Sequence, residues 1–131
     1  MARIPGLDSK LVEEFVVNAH TNLQRVKELL AMEPALVNAT WDWGGGDWET
    51  GLGAAAHMGE KEIAKTLLEN GARLDLFAAA MLGKLEVVKV IVENFPGIIH
   101  VPGPHAISLI DHAVAGGEDA KSVLDYLKSL E

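Results

Sequence analysis

A triple alanine set between two glycine-terminated runs constrains this chain more than any other feature. It lies in ETGLGAAAHMGEKEIAKTLLENGARLD, from Glu49 to Asp75. Ala54, Ala55 and Ala56 belong to a short run that closes at Gly59, so a helix there can press on a neighbour with little side-chain bulk between the backbones. In the next run Ile63, Leu67 and Leu68 recur at three- and four-residue spacing, while Lys61, Lys65 and Glu69 fall away from that face. The run stops at Asn70-Gly71, where a chain leaves a helix through a left-handed residue. The unit expected is two short helices and a turn.

That unit recurs along the chain. After a lead-in with a turn at Pro5-Gly6 and a cap at Asp8 or Ser9, the stripe Leu11, Phe15 and Val16 is followed, past Thr21-Asn22, by Leu23, Val26, Leu29 and Leu30. Asp75 to Ala80 opens another inner helix, followed by an outer run with Leu85, Val87, Val88 and Ile91 on its buried side. Ile107-Ser108-Leu109 opens the last inner helix, which stops at either Gly116 or Gly117, and Val123, Leu124 and Leu127 close the stack. In its spaced positions the chain resembles the ankyrin repeat, whose pattern is T-P-L-H-x-A. Thr50, Leu52 and Ala55 match it, Gly51 replaces the proline and Gly53 the histidine, and Gly59, Glu62-Ile63, Leu67-Leu68 and Gly71-Ala72 continue the match. The resemblance implies an all-α fold, an ankyrin-repeat solenoid of four antiparallel helix pairs with short hairpin-like loops. It would form a single domain over residues 1–131, with repeats at roughly 9–38, 48–74, 75–98 and 104–130. The first repeat is degenerate, as a capping repeat facing water should be.

The junctions between repeats differ. ATWDWGGGDWET carries all three tryptophans, Trp41, Trp43 and Trp48, around Gly44-Gly45-Gly46, in the place where the family projects a hairpin-like finger. Between the second and third units the finger is missing: Gly59 to Gly83 spans 24 residues, against about 33 for an ordinary repeat. The family's concave side holds its partners. On that basis the partner-binding set is Trp41, Trp43, Asp47, Trp48, His57, Phe77, Met81 and His105. Together they would make a pocket between the two long loops, with His57, Phe77 and Met81 as its floor. The function implied is a non-enzymatic binding module that holds a protein or small-molecule partner on the concave face.

The alternative is acid–base chemistry. His57, His105 and His112 with Asp111, Asp47 or Asp42 are the residues that could converge for it, because imidazole titrates near neutral pH and a carboxylate can fix its tautomer. A small-molecule lyase, isomerase or hydrolase would then use His57, His105, Asp111 and His112 as its catalytic set. His20 and His100 stand at helix and loop ends and draw no role. The histidine spacings match no zinc signature, so no metal and no cofactor is expected. Neither G-x-S-x-G nor a phosphate-binding G-x-x-x-x-G-K-[ST] occurs.

Composition narrows the partners. Nineteen acids against eleven bases give a net charge of −8 with no basic cluster, which argues against nucleic acid and favours a cationic or neutral partner. With no cysteine there is no disulfide frame and no thiolate site. The expectation is a soluble, cytoplasmic protein with no membrane partner, since no apolar run reaches spanning length.

Overall fold

The computed structural model describes residues 3–131, and it is built mainly of short helices whose ends are set by capping. Asp8 caps α1 (Ser9–Asn18) and Asn22 caps α2 (Leu23–Met32). A 3-10 turn at Pro34–Asn38 leads into β1 (Thr40–Asp42), which pairs antiparallel with β2 (Trp48–Thr50). Thr50, the last strand residue, accepts from the Gly53 N–H at 2.9 Å and so starts α3 (Gly51–Met58). The chain continues through α4 (Lys61–Glu69), α5 (Leu76–Met81), α6 (Leu85–Asn94), α7 (Leu109–Ala115) and α8 (Lys121–Ser129).

α4 and α6 have no side-chain cap and follow directly on glycine stops. Gly59 and Gly83 sit at φ 69° and 74°. The next N–H in each case folds back to an alanine carbonyl, Glu60 to Ala55 and Lys84 to Ala79, both at 2.9 Å. The end of α4 repeats this, with Gly71 at φ 95° and Ala72 N–H on the Leu67 carbonyl at 3.0 Å. One local rule thus turns the chain back three times.

Consecutive helices pack as pairs, α1 on α2, α3 on α4, α5 on α6 and α7 on α8, while α1, α3, α5 and α7 contact one another in order. Alanine makes that second set of contacts close: Ala54, Ala55, Ala56, Ala78, Ala79 and Ala80 have no exposed surface. A Cβ on Gly51 would fall 2.7 Å from the ring of Phe15. Larger side chains on the other helices complete two core clusters, and α5 contributes to both, with Ala78 and Met81 in the first and Leu76, Ala79 and Ala80 in the second.

The structure settles the register of the last inner helix and corrects two further details of the sequence reading. Ser108, not Ile107, caps α7, taking the Asp111 N–H at 3.1 Å, and Gly117 (φ 61°) rather than Gly116 adopts the left-handed conformation. On α6 the exposed Val87 gives way to Val92 as a buried residue beside Val88, because a three-to-four residue step from Val88 lands on Val92. The other correction is Met81, expected to floor a pocket, which is fully buried in the core. No strand lies between α4 and α5; instead Asn38 clasps that junction, donating to the Gly71 carbonyl at 3.1 Å and accepting from the Arg73 N–H at 2.8 Å. No described helix is long and apolar enough to cross a membrane.

The glycine stops differ in one measurable respect. At Gly83 a Cβ would run into the Asp119 carbonyl, whereas at Gly71 no atom lies within 4 Å of it. Gly71→Ala should therefore cost roughly 1 kcal/mol, the left-handed backbone alone, and Gly83→Ala roughly 2–4 kcal/mol once the clash is added. Urea unfolding reads both; equal losses would refute the close approach at Gly83.

Candidate functional site

The site begins with strand alternation in β2. Successive residues point to opposite faces, so Trp48 is 59% exposed while Glu49, next to it, is 1% exposed. A carboxylate without water must find donors, and four side chains from four segments meet it. The Trp43 indole N–H donates to Glu49 Oε1 at 3.0 Å. His20, just beyond the end of α1, places Nε2 at 3.2 Å from the same oxygen. His57, in the last turn of α3, places Nε2 at 3.0 Å from Glu49 Oε2, and His105, from the loop before α7, places its Nε2 at 3.2 Å from that oxygen.

Local geometry explains how each arrives. Gly44, Gly45 and Gly46 take φ values of 137°, 66° and 89° in succession, a turn that side-chain-bearing residues would resist. Asp42 fastens it by accepting the N–H groups of Gly44 and Gly46 at 2.9 and 3.0 Å. The turn delivers Asp47, whose carboxylate takes the backbone N–H of His105 at 2.8 Å and its Nδ1 at 2.7 Å. His105 and Ala106 are the non-glycine residues with positive φ among those described, at 60° and 59°, and such backbone costs on the order of 1–3 kcal/mol per residue. Gly53 lies one turn before His57 on the same helix face. A Cβ there would meet Thr50 Oγ1 at 3.3 Å and Glu49 Cγ and Pro104 Cγ at 3.5 Å, so both segments lie directly against this face of α3.

The rings pack edge to face, His57 against His20 and His105 with centroids 5.0 and 5.2 Å apart, and Trp43 lies 5.9 Å from His20 and 5.7 Å from His105. Burial pushes the Glu49 pKa up, but His20, His57 and Trp43 outweigh it and hold the carboxyl at about 2. The same contact with Glu49 raises the pKa of His20 above its ordinary value, against the opposing effect of burial. Asp47 is held low by the His105 backbone N–H, then by its side chain.

The remaining expected residues divide. Trp41 is half-buried against the first core cluster. Phe77 and the exposed Trp48 line a groove of about 390 Å³ together with Asp47, Gly53, Asp75 and Pro104. Met81 cannot serve as its floor, because it is enclosed by the packed inner helices. Asp111 is exposed on α7 and Asp42 is spent on the hairpin turn, so neither joins the histidines. His112 is fully buried on α7, 4.8 Å from the Phe77 ring, with Nδ1 against the Ser108 carbonyl at 2.7 Å. Burial lowers its pKa, so it is a neutral packing residue beneath the His105 loop. Of the proposed acid–base set, then, His57 and His105 converge and Asp111 and His112 stand apart.

Sequence reasoning missed Glu49 and His20. The signal available was the strand alternation, which sets Glu49 opposite in sense to Trp48. His20, like His57, closes the C-terminal end of an inner helix. Four of these side chains, His20, Glu49, His57 and His105, offer ligand atoms that all lie within 4.8 Å of one another. No protein-family model matches the chain, and a search of curated proteins finds no match.

The shifted groups fix a pH profile. Glu49 lies below its ordinary 4.5, so its contribution to stability is in place above about pH 4.5 and is lost as pH falls towards 2. His20 lies above 6.5, so its contribution is in place below pH 6.5 and is lost as pH rises through its folded value. Stability of chelator-treated protein should peak between these limits. Up to roughly 3 kcal/mol of the acid-side loss should vanish in Glu49→Gln. An acid limb equally steep in wild type and variant would show that Glu49 is not the group responsible.

Proposed function

We propose that this chain is an ankyrin-type repeat module, non-enzymatic, whose concave side holds a small molecule rather than a flat protein surface. The observation carrying this reading is the strandless junction between α4 and α5. It leaves an open groove between the tryptophan hairpin and the loop before α7, with Trp48 and Phe77 as apolar walls and Asp47 and Asp75 as its carboxylates. A volume of about 390 Å³ is in the range of small-molecule sites. Asp75 lines it with one carboxylate oxygen engaged by the Ala78 N–H. Aromatic faces beside a carboxylate favour an amphipathic ligand carrying a cationic or donor-rich group, in keeping with the net charge of −8.

Acid–base catalysis is the second reading, supported by the convergence of His57 and His105 on one carboxylate. Its Asp111 and His112 are replaced in that arrangement by Glu49 and Asp47. The two readings separate on turnover: a ligand recovered chemically unchanged after prolonged incubation supports the binding module, and conversion supports the enzyme.

Thermal-shift screening with small amphipathic amines tests the groove. Binding compounds should raise Tm by several degrees and quench tryptophan fluorescence, and both effects should be lost in a Trp48→Ala/Phe77→Ala protein that retains its helical circular dichroism. Compounds that stabilise wild type and the double variant equally would place binding elsewhere, and a screen with no stabilising compound would count against the small-molecule reading.

A further inference from the structure

The contacts around Glu49 do not satisfy themselves. Glu49 Oε2 and His57 Nε2 are both buried and lie 3.0 Å apart, close enough for the imidazole to favour the carboxylate, yet neither atom makes a well-formed hydrogen bond. Buried polar atoms are nearly always paired. His105 Nε2, at 3.2 Å from the same oxygen, does not satisfy it either.

The opposite nitrogens of two rings are already engaged. His20 Nδ1 lies 2.9 Å from the Val16 carbonyl, and His105 Nδ1 lies 2.7 Å from Asp47 Oδ2. A carbonyl and a carboxylate both call for an N–H on Nδ1, so each neutral ring presents its Nε2 lone pair to the cluster. Lone pairs facing a carboxylate repel it. A proton on His20 relieves only Oε1, and protonating His57 and His105 as well would put several cations into one small space, with ring centres 5.0 and 5.2 Å apart. A single metal cation resolves both conflicts, and it accepts the lone pairs in the tautomer that the outer partners impose.

We infer that His20, Glu49, His57 and His105 bind one divalent first-row transition-metal ion of the zinc class, through the three imidazole Nε2 atoms and a Glu49 oxygen. Three nitrogens and one oxygen suit zinc and its neighbours rather than calcium or magnesium, which favour oxygen. Rings bound to a tetrahedral ion at about 2.0–2.1 Å would have centres roughly 5 Å apart. Two of the three pairs here meet that spacing, and the third, His20 with His105, stands at 6.4 Å and must close slightly. Glu49 and Asp47 would together balance the dication, with Asp47 acting as a positioning residue behind His105 and the Val16 carbonyl behind His20.

This goes beyond the groove reading and stands apart from it, the two sharing only the Asp47 side chain. The test is equilibrium dialysis and calorimetry of chelator-stripped protein with Zn²⁺ and Co²⁺, with Mg²⁺ and Ca²⁺ as controls. Saturable 1:1 uptake of Zn²⁺, a visible absorption of four-coordinate cobalt and no uptake of Mg²⁺ or Ca²⁺ are expected. His57→Gln and His105→Gln should each weaken Zn²⁺ binding at least about 10-fold and dim the cobalt band, Asp47→Asn should weaken it about 10–100-fold, and the remote His100→Gln should not change it. Circular dichroism confirms folding, and the half-exposed His105 serves if a buried variant does not fold. No saturable uptake, or uptake unchanged in both His57→Gln and His105→Gln, overturns the inference. If metal uptake fails while groove ligands still bind wild type and not the Trp48→Ala/Phe77→Ala protein, the metal inference alone falls. If uptake holds and no groove ligand binds, the groove reading falls instead.

Discussion

Close approach of the inner helices is the constraint on which the rest depends. With the alanines of α3 and α5 fully buried and glycine allowing Phe15 to lie against the start of α3, the helices come together with little side-chain bulk between them. Only at that separation can His20, at the end of α1, and His57, on α3, reach the same carboxylate from different helix pairs. A valine or leucine in those alanine positions would spread the helices and pull the imidazoles apart. The small residues that make the packing dense are thus also what gives the site its short distances.

The helices were largely legible because their signals are local. Capping side chains at Asp8, Thr50 and Asp75, left-handed glycines at positions 59, 71 and 83, and the apolar stripes of α4 and α8 each act over a few residues. Where two neighbouring residues could play the same part, as with Ile107 and Ser108 or Gly116 and Gly117, the sequence leaves the choice open. Hydrogen bonding then selects Ser108, which has an oxygen to offer the Asp111 N–H.

The site was legible only in part, because its convergence is not local. His105 and Asp47 are separated by 58 positions and meet through loop conformations that leave no periodic trace. Glu49 looked like one more surface acid in a chain with many, and its burial follows from the hairpin turning its inner face onto α1 and α3. Met81 failed as a pocket residue for a related reason. α5 is only six residues long and is packed by helices on both sides, so its last residue stays inside.

The left-handed pair His105 and Ala106 makes the fourth helix pair a participant in the site. Asp47 grips both the backbone and the ring of His105, and so holds a segment that would otherwise relax to an ordinary conformation. The two left-handed residues and the imidazole aimed at Glu49 therefore rest on the same carboxylate, so loss of Asp47 would withdraw support from both at once.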